Sequence, residues 1–139
     1  MAFWMAIIFL GSTDVMSAPH TSRFLIPLIK WLFPSVSPSV LGVIQTLLRK
    51  GWHLAEYAIL SLLVWNALVQ PFVTRPGGWP WRVVRLTLLI CLFYAASDEL
   101  HQAFVPSRGS SVADVVLDGL GSTAGLTALW ICGRWRGFW

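Results

Sequence analysis

Charge is what this sequence has least of. Only 12% of its 139 residues are Asp, Glu, Lys or Arg, against 56% hydrophobic types and a mean hydropathy of +0.68. Soluble domains carry about twice that share of charge. A folded chain of this size still exposes about a third of its unfolded surface, and ten basic and six acidic residues cannot solvate it. A soluble single domain is therefore excluded, and disorder more firmly, because disorder needs low hydrophobicity. Dense basic runs are also missing, so the net charge of +4 does not point to nucleic acid; in a membrane it serves headgroup contact and orientation. Cysteine is limited to Cys91 and Cys132, both in apolar stretches and at no metal or redox spacing, so they read as small buried hydrophobes. No HExxH or Glu-x-x-His pattern occurs, and neither metal nor cofactor is expected.

What the sequence has is apolar length. The pattern predicts an all-α membrane bundle of about four transmembrane helices, forming one domain over residues 1–139. Three segments are long enough to cross: Trp52–Val73, Val83–Val105 and Val112–Ile131. The fourth, Met1–Leu10, covers only ~15 Å of a ~30 Å hydrocarbon core. It reads as a span continuing through Gly11–Met16, a span cut short at the start, or, less well, a signal peptide. Between it and the next span, Phe24–Phe33 (broken by Pro27 and Lys30) and Val40–Leu48 are too short to cross and are expected to be interfacial or re-entrant.

Basic residues divide evenly between the two sides. Arg75, Arg82, Arg85, Arg134 and Arg136 occupy a tight loop and a short tail, accompanied by Trp79, Trp81, Trp135 and Trp139, whereas Arg23, Lys30, Arg49, Lys50 and Arg108 lie opposite. The first group sits where the positive-inside rule and the aromatic belt count most, which places it and both termini in the cytoplasm of a multi-pass plasma-membrane protein. The acids are more one-sided. Asp14, Glu56, Asp98, Glu99, Asp114 and Asp118, with His20, His53 and His101, all belong to the half opposite the arginine loop.

Helix rise puts Asp98, Asp118 and Glu56 roughly 20, 24 and 28 Å from the inner arginines, within or just below the outer boundary of the core. Carboxylates at that depth cost a few kcal/mol each unless paired, protonated or wetted. Helical spacing gives them shared faces: His53 with Glu56 and Tyr57, Asp98 with His101 and Gln102, Asp114 with Asp118. Glu99 is expected to be turned aside by about 100°. Gly121 and Gly125 form a small-xxx-small stripe that lets the last span approach the second or third closely. Ser110 or Ser111 can cap that span, with Arg108 over the acids as a counter-charge. Asn66 and Gln70 are expected to bond neighbouring helices, and His20 and His101 to sit at the interface.

These residues resemble a known family. Ala96-Ser-Asp-Glu-Leu-His-Gln-Ala-Phe-Val-Pro-Ser-Arg108, Asp114-Val-Val-Leu-Asp-Gly-Leu-Gly121 with Gly125, and Arg49-Lys-Gly-Trp-His53-Leu-Ala-Glu56-Tyr57 resemble the signature of VanZ-like membrane proteins, over about residues 50–125. At Asp118 the family usually has Asn. The family takes its name from a protein associated with low-level resistance to the glycopeptide teicoplanin, and the resemblance implies a role in the cell envelope without defining an activity. The site is then His53, Glu56, Tyr57, Asp98, Glu99, Gln102, Arg108, Asp114 and Asp118. Three readings stay open. The site binds an amphiphile (a membrane lipid, a lipid-linked wall precursor or the glycopeptide's acyl tail) with Arg49, Lys50 and Arg108 meeting an anionic head. Alternatively it belongs to an intramembrane enzyme using Glu56 or Asp98 as base, or to a proton-coupled transporter, for which four spans are a thin scaffold unless the protein oligomerises.

Overall fold

The computed structural model describes residues 1–13, 18–72, 78–105 and 110–137, with side chains 18–21 and 70–72 outside that description. Its described residues form five helices and no strands: α1 (Ala2–Gly11), α2 (Ala18–Leu32), α3 (Pro38–Phe72), α4 (Trp81–Gln102) and α5 (Val112–Trp135).

α3 corrects the sequence reading. Val40–Leu48 is not a separate interfacial piece but the first third of one helix of 35 residues, about 52 Å long. Pro38 stands at its first position, where the missing N–H is harmless, and the Arg49-Lys50-Gly51 step does not break it. Nor is Phe24–Phe33 isolated, since most of it lies in α2, which continues through Pro27. α2 folds back on the start of α3 through Ile29 and Leu41, and the Gln45 amide donates to Ser22 Oγ at 2.9 Å.

α1 decides against one reading of the first segment, a span continuing through Gly11–Met16: the helix stops at Gly11, and Ser12 closes it by donating its backbone N–H to the Ile8 carbonyl at 2.9 Å. At ten residues it covers ~15 Å. Two helices, α3 over Pro38–Val69 and α5, are long and apolar enough to cross a membrane, fewer than the four expected. α4 has the length, but Arg82 and Arg85 at one end and Asp98 and Glu99 at the other interrupt its apolar run.

α3, α4 and α5 form the core bundle. One layer joins Ile8 of α1 to Tyr57, Leu60, Val64, Cys91 and Ala95, and a second joins Trp65, Val83, Val84 and Leu126. Cys91 is buried as expected, whereas Cys132 is exposed. α5 lies parallel to α3, because Gly121 and Gly125 meet Leu54 and Ala58 in the same direction along both chains. A Cβ at Gly121 would overlap the Leu54 carbonyl, and one at Gly125 would come within 2.5 Å of Ala58 O and Ser61 Oγ. The small-residue stripe therefore serves the α3–α5 contact.

Gly121→Ala or Gly125→Ala should separate α5 from α3 at a cost of about 1–3 kcal/mol, seen as a lower melting temperature by circular dichroism in detergent. Gly42→Ala, where an added methyl meets nothing within 4 Å, should be neutral or slightly stabilising.

Candidate functional site

The polar residues gather at one end of the bundle, where α1 and α4 finish, α5 begins and α3 passes through. Asp98 is its centre. Ser12 Oγ donates to Asp98 Oδ2 at 2.7 Å, and the Gln102 amide donates to the same oxygen at 3.0 Å and to Ser12 Oγ at 3.4 Å. Gln102 reaches Asp98 because the two are four residues apart on one helix. Ser12 reaches it because α1 runs alongside α4: Tyr94 Oη donates to the Met5 carbonyl at 2.6 Å, and the Trp4 indole donates to the Glu56 carbonyl at 3.0 Å.

The other acids take distinct partners. Lys50 Nζ lies 2.9 Å from Asp114 Oδ1, at the half-exposed rim. Glu99, about 100° round α4 from Asp98, is buried and accepts the Ser111 backbone N–H at 2.8 Å. The start of α5 folds back over α4 and supplies the donor. Ser111 caps α5 by accepting the Ala113 N–H at 3.1 Å. Asp118 is fully buried, with Oδ1 3.7 Å from His53 Nδ1, an ion-pair distance beyond hydrogen-bond range. The charges of Glu99, Asp98, Asp114 and Glu56 all act on Asp118, and those of Asp98 and Glu56 act on Tyr94. Glu56 thus shares the same polar region, buried beside Gly11.

Tyr57 is fully buried on the inner side of the cluster, its ring 6.4 Å from that of Tyr94. Its hydroxyl, Asp98 Oδ1 and both Asp118 carboxylate oxygens are sealed from solvent and meet no hydrogen-bond partner among the described residues. Buried polar atoms are almost always satisfied, and an unmet carboxylate oxygen in apolar surroundings is costly. The site therefore presents acceptors that a bound molecule or ordered water can satisfy. Among the described residues no group of His, Cys, Asp and Glu is arranged to hold a metal ion.

Arg108 and Asp14 lie outside the described residues, as do the side chains of His20 and Gln70. His101 stacks on Phe9 at 4.6 Å instead of facing Asp98, and Asn66 is exposed rather than bonded into a neighbouring helix. Ser12 was missed by sequence reasoning, which weighed Gly11–Met16 only as the continuation of a span. Its signal was the Gly-Ser-Thr run ending an apolar helix, the composition of a helix stop.

A family model described as VanZ/LLP1 matches residues 1–133. The chain belongs to the VanZ/LLP1 family. The match extends the resemblance seen over residues 50–125 to α1 and α2, so the helix that carries Ser12 lies within the family's own length. No curated protein and no solved structure matches the chain.

Asp118→Asn, which removes the charge without changing shape, should raise the melting temperature in detergent by a few degrees, because a buried amide costs less than a buried carboxylate. Ser12→Ala should lower it, by roughly 1–3 kcal/mol of lost donor to Asp98.

Proposed function

We propose that this VanZ/LLP1 chain is a plasma-membrane protein of the cell envelope that binds the polar head of an amphiphile in the Asp98 recess. A membrane setting is supported by the apolar belt the bundle leaves uncovered: Ile59 and Leu62 on α3, Leu89 and Phe93 on α4, and Val116 and Leu120 on α5 are all exposed. Soluble monomers rarely leave so much contiguous apolar surface. In this reading α3, α4 and α5 cross, α1 lines about half the thickness beside them, and the arginines of the 75–85 loop and the C-terminal tail lie in the cytoplasm with both chain ends directed that way. The recess then opens to the outer leaflet, where membrane lipids, lipid-linked wall precursors and glycopeptides are met.

The observation that carries this reading is the set of buried polar atoms that meet no hydrogen-bond partner among the described residues, Asp98 Oδ1, Asp118 Oδ1 and Oδ2, and the Tyr57 hydroxyl, beside a cation, Lys50, half-exposed at the rim. Such a site suits a head group that brings hydroxyl or amine donors for the carboxylates and a negative charge for Lys50. A resistance role follows if the bound molecule is a wall precursor or the antibiotic itself.

One contact favours a second reading. Ser12 Oγ, 2.7 Å from Asp98 Oδ2, is a nucleophile with a general base in place, the arrangement acyl transfer requires. Asp98 would take the Ser12 proton as Oγ attacks an ester or amide carbonyl, and return it to the leaving group as the carbonyl re-forms.

The full chain in lipid nanodiscs, titrated with a lipid-linked wall precursor or with teicoplanin and followed by native mass spectrometry, should show saturable binding. Tyr57→Phe and Asp98→Asn should weaken it by roughly tenfold or more, the worth of a buried hydrogen bond to a charged group. A covalent adduct lost in Ser12→Ala would favour the enzymatic reading. Binding indifferent to both substitutions would remove the recess from function.

A further inference from the structure

The opposite end of the bundle carries a cleft that the polar cluster around Asp98 does not explain. Between the starts of α4 and the last turns of α5 lies a cleft of about 350 Å³, walled by Trp79, Trp81, Val84, Leu126 and Trp130 among others. That volume is within the range of small-molecule sites. Its walls are apolar even where the sequence is not, because Thr123 and Thr127 spend their hydroxyls on α5 itself, donating to the Gly119 and Thr123 carbonyls at 2.8 Å each. Only their methyl groups remain to face the cleft. Val84 and Leu126 close the floor, and Trp79 is held in place by stacking on Trp65, with ring centroids 4.6 Å apart. Trp81 stands two-thirds exposed at the rim.

Cations mark this end. Arg82 follows Trp81 directly, and Arg134 lies one turn beyond Trp130 with its guanidinium 5.9 Å from that ring. Acids are absent from both neighbourhoods: residues 57–97 and 119–139 contain no Asp or Glu. An apolar, aromatic-walled slot topped by arginines and free of carboxylates is complementary to an apolar chain ending in a negative charge.

We propose that this cleft holds an acyl chain of an anionic phospholipid of the cytoplasmic leaflet, with Arg82 and Arg134 selecting its phosphate head. The proposal rests on the membrane placement above but not on the outer recess or its ligand. It gives the chain two amphiphile sites of different chemistry, a carboxylate-rich one outside and an arginine-topped one inside, on opposite ends of α4 and α5.

The test uses the full chain in nanodiscs made from phosphatidylglycerol and phosphatidylcholine with identical acyl chains, released and analysed by native mass spectrometry. Incorporation into the discs tests the membrane placement, and lipid selection tests the cleft. The native chain should retain phosphatidylglycerol over phosphatidylcholine by about tenfold or more, given two arginines at a membrane surface. Arg82→Gln with Arg134→Gln, both exposed positions at helix ends, should bring that ratio close to one. Thr127→Trp, which fills the cleft from α5 without removing charge, should reduce retention of both lipids. Glycerol phosphate, which has the head but no chain, should displace nothing. Equal retention of the two lipids by the native chain, an unchanged ratio in the arginine variants, displacement by glycerol phosphate, or recovery of a lipid-free dimer would each overturn the proposal.

Discussion

A carboxylate in apolar surroundings costs more than any single contact in this bundle returns, and that cost organises the rest of the structure. Five acids on three helices, Glu56, Asp98, Glu99, Asp114 and Asp118, would be costly dispersed over the lipid-facing surfaces of the proposed membrane placement. The bundle collects them at one end, and each arrangement that holds them there has its own physical cause. α1 is stopped short, so that Ser12 reaches Asp98. Ser111, at the start of α5, lies against α4, so that its backbone N–H reaches Glu99. Gly121 and Gly125 remove the side chains that would keep α5 from α3, which brings Asp118 to His53 and Asp114 to Lys50. The close helix packing and the polar cluster are therefore one constraint seen at two depths.

Much of this was legible in the sequence because it depended on helical spacing alone. Asp98 with Gln102 and the Gly121/Gly125 stripe follow from residues four apart on one helix, and the cap at Ser110 or Ser111 from the start of the last apolar segment. What the sequence hid depended on where chain reversals occur. Helix continuity through Arg49-Lys50-Gly51 was read as a boundary, because a basic pair looks like a membrane edge, yet nothing in it disfavours helix. The partner of Glu99 was hidden because it is a backbone group at the start of the next helix, which carries no side-chain signature. Ser12 went unnoticed for a related reason: its role appears only when α1 ends, and an apolar run gives weak notice of its own end.

The two ends of the bundle have opposite chemistry. The Asp98 end concentrates carboxylates and leaves several of their oxygens waiting for donors; the other concentrates arginine and tryptophan around an apolar slot. In the proposed membrane placement, acceptors at one leaflet and cations at the other suit the handling of amphiphiles, since each leaflet offers head groups of a chosen charge. The chain belongs to the VanZ/LLP1 family, and the unmet acceptors around Asp98 are what favour, in the proposed function, a recess that receives something over a clasp that merely joins helices. Polar contacts between membrane helices contribute on average less than about 1 kcal/mol each, too little to account for so many buried ionisable groups.

The side of the membrane on which the carboxylates lie decides the account most directly. In a background with Cys91→Ala and Cys132→Ala, single cysteines at Lys50, on the rim of the recess, and at Arg134, beside the inner slot, can be labelled in intact cells with a membrane-impermeant maleimide. The cysteine replacing Lys50 should react at once and the one replacing Arg134 only after permeabilisation. The reverse order, or a Lys50 position that stays closed until the membrane is opened, would contradict an outward recess.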